Sequence, residues 1–156
     1  MRLTSRRRFI GAAGGSFVVG TLAGCTGGGN GDADDDGGEE VLLADHLSNA
    51  RGYDGQLQDS TGETEVTVEN GAGSDGLAFD PAGLRIDAGT TVVWEWTGRG
   101  GGHDVASVRE SDFSFQSDRT DRQGHTFEHT FDEAGIALYV CQPHQGQRMK
   151  GGIEVV

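Results

Sequence analysis

Tyr139-Val140-Cys141-Gln142-Pro143-His144-Gln145-Gly146-Gln147-Arg148-Met149, near the C-terminus, is the stretch on which the reading of the whole chain turns. It continues the apolar run that begins at Ile136, which reads as a strand, and Pro143 and Gly146 then force the chain into a loop. The 156 residues contain 2 cysteines and 2 methionines, and Cys25 and Met1 fall in the leader-like start. Cys141 and Met149 are therefore the only sulfur side chains of the folded part. A thiolate, an imidazole and a thioether at the spacing Cys-x2-His-x4-Met are the soft donors that copper selects. So short a loop can fold all three around one point. A fourth donor has to come from elsewhere in the chain.

Upstream of that loop the hydrophobic period is two. Val66 and Val68 alternate with Glu65, Thr67 and Glu69; Leu84 and Ile86 with Arg85 and Asp87; Val92, Trp94 and Trp96 with Val93, Glu95 and Thr97. Further strands are expected at His103–Val108, His125–Phe131, Ala137–Cys141 and Gly152–Val156. Gly71 to Gly76, Asp80-Pro81 and Asp87-Ala88-Gly89 supply turns between them. This pattern predicts an all-β protein, an antiparallel Greek-key sandwich or barrel of about a hundred residues. Residues 63–156 form that domain and 41–62 an N-terminal extension of it. In the extension, Leu42, Leu43 and Leu47 ahead of Gly52 suggest a short helix over Val41 to Ala50. His46 on it reads as a surface residue.

The missing donor should leave a strand end at the same pole as Cys141. His103 fits, because it follows Gly98-Arg99-Gly100-Gly101-Gly102 and opens a strand. Two histidines and a cysteine in a plane, with a weak axial methionine, make an electron-transfer copper site rather than a catalytic one. His125 and His129 have the His-x3-His spacing of a helical zinc motif. Their neighbours Thr126, Phe127, Thr130 and Phe131 instead favour a strand. On it His129 is core-side and His125 lies at the end, and neither is a ligand.

The first 25 residues read as an export address. Ser5-Arg6-Arg7-Arg8-Phe9-Ile10 resembles a twin-arginine signal, and the apolar run to Gly24 is too short for a comfortable membrane span. Leu22-Ala23-Gly24-Cys25 resembles a lipobox, so residues 1–24 form the signal and Cys25 is the expected lipid attachment point. Residues 25–40, rich in glycine and acids, read as a flexible tether. Four of the 12 basic residues lie in the first 24 positions, which leaves 8 against 25 acidic ones. A surface so acidic excludes nucleic acid as a partner, since phosphate binding needs cations. It reads first as a solvating surface.

The residues just described resemble one family. Phe79-Asp80-Pro81, Gly89-Thr90-Thr91-Val92-Val93-Trp94-Glu95-Trp96, His103, the run His125 to Phe131, and Tyr139-Val140-Cys141 through Met149-Lys150-Gly151 are similar to the plastocyanin-like cupredoxins, the blue copper proteins. The resemblance covers roughly residues 50–156. It implies one type 1 copper ion on His103, Cys141, His144 and Met149, with His144 as the electron exit. It also implies a one-electron Cu(I)/Cu(II) carrier, not an enzyme, shuttling between membrane-bound donor and acceptor proteins. Together with the leader, this places a monomer on the outer face of the cell membrane, held through Cys25. A copper store or delivery protein is the alternative, although one methionine and one cysteine are poor material for it. Family members often have Asn after the first histidine and Ser or Thr after the cysteine, at positions that tie the two ligand loops together. This chain has Asp104 and Gln142 there.

Overall fold

The computed structural model of the protein describes residues 36–156. The export signal, Cys25 and most of the tether lie outside the described residues. The elements in chain order are a helix α1 (Asp36–Leu47) and strands β1 (Gln58–Asp59), β2 (Glu65–Ala72), β3 (Ala78–Asp80), β4 (Gly83–Ile86), β5 (Thr90–Trp96), β6 (Ala106–Ser107), β7 (Thr126–Phe131), β8 (Gly135–Val140) and β9 (Lys150–Val155), with a 3-10 turn (Gln142–Gln147) between the last two.

Two sheets face each other. One has the order β1-β4-β9-β8-β6, the other β3-β2-β5-β7. Because the chain changes sheet at nearly every connection, a strand can return beside an earlier one pointing the same way. Three pairings are parallel for that reason: β1 with β4, β2 with β5 and β4 with β9. The expectation of a purely antiparallel sandwich is corrected here, while the sandwich itself stands. Alternation in β2 and β5 sends Val66, Val68, Val92, Trp94 and Trp96 inward. There they meet Leu84, Ile86, Phe131, Ala137, Tyr139 and Ile153 from the remaining strands, in one buried cluster that also contains Cys141 and Met149.

β8 is unlike the others. Its inward residues Ala137 and Tyr139 join the main core, while Ile136 and Leu138 on its other face pack with Leu43, Leu47 and Ala50. A strand covered on both faces reads as a continuous apolar run rather than an alternating one. Its cover is α1, which starts at Asp36, five positions before the expected helix and inside the stretch read as tether. Gly152 of β9 makes room for it, since a β-carbon there would collide with Leu43 Cδ1. Burying the two leucines contributes about 1.5–3 kcal/mol each. Among the described residues, no helix is long and apolar enough to cross a membrane.

β6 is shorter than the strand expected from His103 to Val108. The backbone of His103 instead bridges Thr120, with N–H···O distances of 2.9 and 3.0 Å in the two directions. The two- and three-residue strands β1 and β3 are additions that the sequence did not announce.

Candidate metal centre

Cys141 leaves the end of β8, and the loop after it is shaped by its own backbone. Pro143 sits in the first positions of the 3-10 turn, where its missing N–H costs nothing. The turn closes at Arg148, in the left-handed conformation at φ 64°, with its N–H directed to the carbonyls of Gln145 and His144. That reversal brings Met149 back. Its N–H donates to His144 O at 3.2 Å, and its carbonyl accepts from Cys141 N at 2.9 Å. The methionine side chain is fully buried in the same cluster as Cys141.

His103 arrives from the other ligand-bearing segment and is also fully buried. Its Nε2 lies 2.6 Å from Arg99 O, which requires the hydrogen on Nε2 and leaves Nδ1 with a free lone pair. That Nδ1 is 3.5 Å from Cys141 Sγ and 3.1 Å from His144 Nδ1, while His144 Nδ1 is 3.3 Å from the same sulfur. All three donor atoms lie within 4.8 Å of one another, the only such group of His, Cys, Asp or Glu among the described residues. Trp96 Nε1 donates to His103 O at 3.2 Å and backs the histidine from the core side.

Burial pushes the Cys141 thiol up to about 11, so a thiolate forms here only with a cation to offset it. His144 is held below the ordinary imidazole range, first by desolvation and then by repulsion from His103 and the Arg119 guanidinium. Two imidazoles and a thiol aimed at one point form the donor set of a soft cation site, and copper fits it.

The structure brings His103, Cys141 and His144 together and packs Met149 beside the cysteine. It does not bring the other histidines to the site. His129 is half-buried on β7, its ring 5.0 Å from that of Phe115, and His125 stacks edge-on against Trp96 at 4.9 Å. His46 is no ligand, but neither is it a free surface residue. It is half-buried, and Nε2 bonds to Tyr139 O at 3.1 Å.

One contributor was visible in the sequence only as a departure from the family pattern. Asp104 is buried, and its Oδ1 accepts from the Gln142 backbone N–H at 2.7 Å. The tie between the two ligand segments is therefore made by a carboxylate to a main-chain donor. The side chain of Gln142 is exposed and takes no part in it. Cys141 is a free thiol.

A family model described as copper binding proteins, plastocyanin/azurin family, matches residues 66–156. A halocyanin from Natronomonas pharaonis is 51% identical over 164 aligned positions, covering 99% of this chain and 99% of that protein. A plastocyanin from Scenedesmus fuscus is 37% identical over 98 positions, covering 58% of this chain and 99% of the plastocyanin. A chloroplastic plastocyanin from Pisum sativum is 34% identical over 99 positions, covering 58% of each chain.

Proposed function

Because the chain belongs to the plastocyanin/azurin family of copper-binding proteins, and is a blue copper electron carrier rather than an enzyme, we propose that its ion would be held by His103 Nδ1, Cys141 Sγ and His144 Nδ1, with the Met149 thioether completing the donor set. Copper bound there supplies the one-electron couple between Cu(I) and Cu(II). The observation that carries the assignment is the convergence of three donor atoms from two segments on one point.

The residues of the chain keep the donors in place whichever charge the site carries. Arg99 O fixes the His103 ring, Asp104 ties the cysteine loop to the histidine segment, and the Cys141–Met149 backbone bond closes the loop. Donors fixed in this way need little rearrangement when one electron enters or leaves. His144 is the one donor residue that is not fully buried, which supports it as the edge through which the electron passes.

The carrier works with redox partner proteins, and these are proposed to be membrane-bound. Cys25 would carry the lipid, the composition of Thr26 to Asp35 suits a tether reaching on the order of 15–20 Å, and the twin-arginine start would place the domain on the outer face as a monomer. Labelling with radioactive palmitate tests the anchor: Cys25→Ser must lose both the label and membrane association.

Titration of the protein with Cu(II), followed by visible absorption and EPR, tests the ligand assignment. An intense blue band with narrow copper hyperfine splitting, absent from Cys141→Ser and bleached by reductant, is the expected result. A colourless complex with ordinary tetragonal spectra would remove Cys141 from the site.

A further inference from the structure

Past the first 24 residues the sequence holds 8 basic residues against 25 acidic ones, but the basic ones are not spread evenly. Among the described residues the only ion pairs are Arg51–Asp75 and Arg85–Glu154. Arg109 follows β6 at its far end from His103. The other five, Arg99, Arg119, Arg122, Arg148 and Lys150, all lie in or beside the loops at the metal pole.

Arg99 supplies the carbonyl that holds His103. Arg119 precedes the bridge between Thr120 and His103, and its side chain lies over Gly102, where a β-carbon would sit 3.0 Å from Nε. Arg148 turns the loop between His144 and Met149, and Lys150 follows directly. Arg122 lies in the turn that enters β7, its carbonyl accepting from His125 N at 3.1 Å. The four arginines are exposed, and none is paired among the described residues. Acids at this end are fewer or already engaged. Asp75 is held by Arg51 and Asp104 by Gln142 N; Asp118 and Asp121 are exposed on the same stretch, and Glu69 and Glu95 line one surface hollow with Arg99.

The rest of the surface has the opposite sign. The outer face of the second sheet presents Glu65 and Glu69 from β2, Glu95 from β5 and Glu128 from β7, with threonines between them and no cation. Beyond the far strand ends stand Glu63, Asp132 and Glu133. The skin of the metal loop is polar as well: Gln142, Gln145 and Gln147 are exposed around His144, and the exposed large apolar residues Val41, Leu42 and Val156 are elsewhere. Apolar burial is therefore not what this pole offers a partner. Charge is.

We propose that the arginines around His144 form a basic docking surface that takes an acidic face of the redox partner proteins, so that a strongly acidic chain approaches its partners as a cation. The proposal rests on His144 being the exit. Local charge of this kind steers association and raises on-rates by about 10- to 1000-fold at low salt, an advantage that fades as the screening length shortens.

The test uses the full chain in its Cu(I) form and small oxidants of opposite charge. Hexacyanoferrate(III) should react faster at low salt and slow down as salt is added. Tris(phenanthroline)cobalt(III) should show the reverse. The double variant Arg119→Glu/Arg122→Glu should slow the hexacyanoferrate reaction by about tenfold or more at low salt and invert its salt dependence, with the blue absorption band unchanged. Redox-inert hexacyanochromate(III), followed by NMR line broadening, locates the bound anion independently.

Broadening centred on Arg99, Arg119 and Arg148, together with the inverted salt dependence, supports the proposal. Absence of broadening there, with hexacyanoferrate accelerating in salt as the net charge dictates, overturns the docking surface and leaves the exit reading intact. Broadening at the arginines with rates indifferent to their reversal overturns both, since the electron would then leave from another face.

Discussion

The two sheets treat their outer faces in opposite ways. The four-stranded sheet leaves its outer face to water, and its strands alternate cleanly: Glu65, Thr67 and Glu69 out, Val66 and Val68 in. The five-stranded sheet has its outer face under α1, and β8, between β9 and the edge strand β6, is buried on both sides. The metal loop grows from β8, not from the solvated sheet. A donor set that must hold its shape through a change of charge is thus rooted in the part of the molecule least free to move. The solvated sheet is left to carry the acidic surface.

If that contrast is real, substitutions on the two outer faces must differ in cost. Leu47→Ala, under the five-stranded sheet, should destabilise the chain by about 2–5 kcal/mol, as large-to-small changes at fully buried sites do. Urea unfolding of the metal-free protein measures it. A cost below about 0.5 kcal/mol would mean that α1 is only laid on the sheet.

Next in size comes the tie between the two ligand segments. Asp104→Ala leaves the Gln142 N–H without its buried acceptor and should cost about 1–3 kcal/mol. It should also shift the reduction potential, which a purely structural role would leave alone. Asp104→Asn keeps an acceptor oxygen and should restore most of both. Cyclic voltammetry beside the unfolding curves separates the two effects.

His46 gives a pH-dependent version of the contrast. Burial against β8 holds its pKa below 6.5, and the Tyr139 carbonyl opposes this only in part. The unfolded chain then binds the proton better, so the stability that His46 contributes is full above 6.5 and is lost as pH falls from there through the lowered folded value. In the metal-free protein, the stability difference between parent and His46→Gln should therefore shrink between about pH 7.5 and pH 5. A difference independent of pH would show that the imidazole is solvated.

The smallest effect belongs to the solvated sheet. Glu69 and Glu95 are register partners on parallel strands, and Asp80 stands opposite Glu69 on its other side. Glu95→Lys replaces a like-charge neighbour by an opposite one and should stabilise by about 0.2–1 kcal/mol at low salt, less at high salt. Thermal unfolding at two ionic strengths checks both sign and screening.

Much of this was legible in the sequence, and what was not has physical causes. Cys141, His144 and Met149 could be read because they are close in sequence and because the folded part has no other cysteine or methionine. His103 was found through the glycines that precede it and the strand expected after it. Strands β2, β5 and β7 announced themselves because one face of their sheet is wet, which imposes a period of two. β1 and β3 are too short to show any period.

The parallel pairings were hidden because alternation within a strand says nothing about the direction of its neighbour. The cover over β8 was hidden because its marks, Gly152 in a strand and two leucines after an acidic run, look ordinary until they touch. Asp104 stood out as the wrong residue for the family. It does the tying because the partner is a backbone N–H, which asks only for an acceptor oxygen.

Copper K-edge X-ray absorption of the full chain, recorded as Cu(I) and as Cu(II), tests most directly whether this chain holds its donors fixed. One short sulfur and two nitrogen neighbours, at distances that hardly change between the two states, are expected from a site whose histidine, cysteine and loop are pinned before the electron arrives. A Cu(II) shell that gains oxygen donors, or one that lacks the short sulfur, would contradict it.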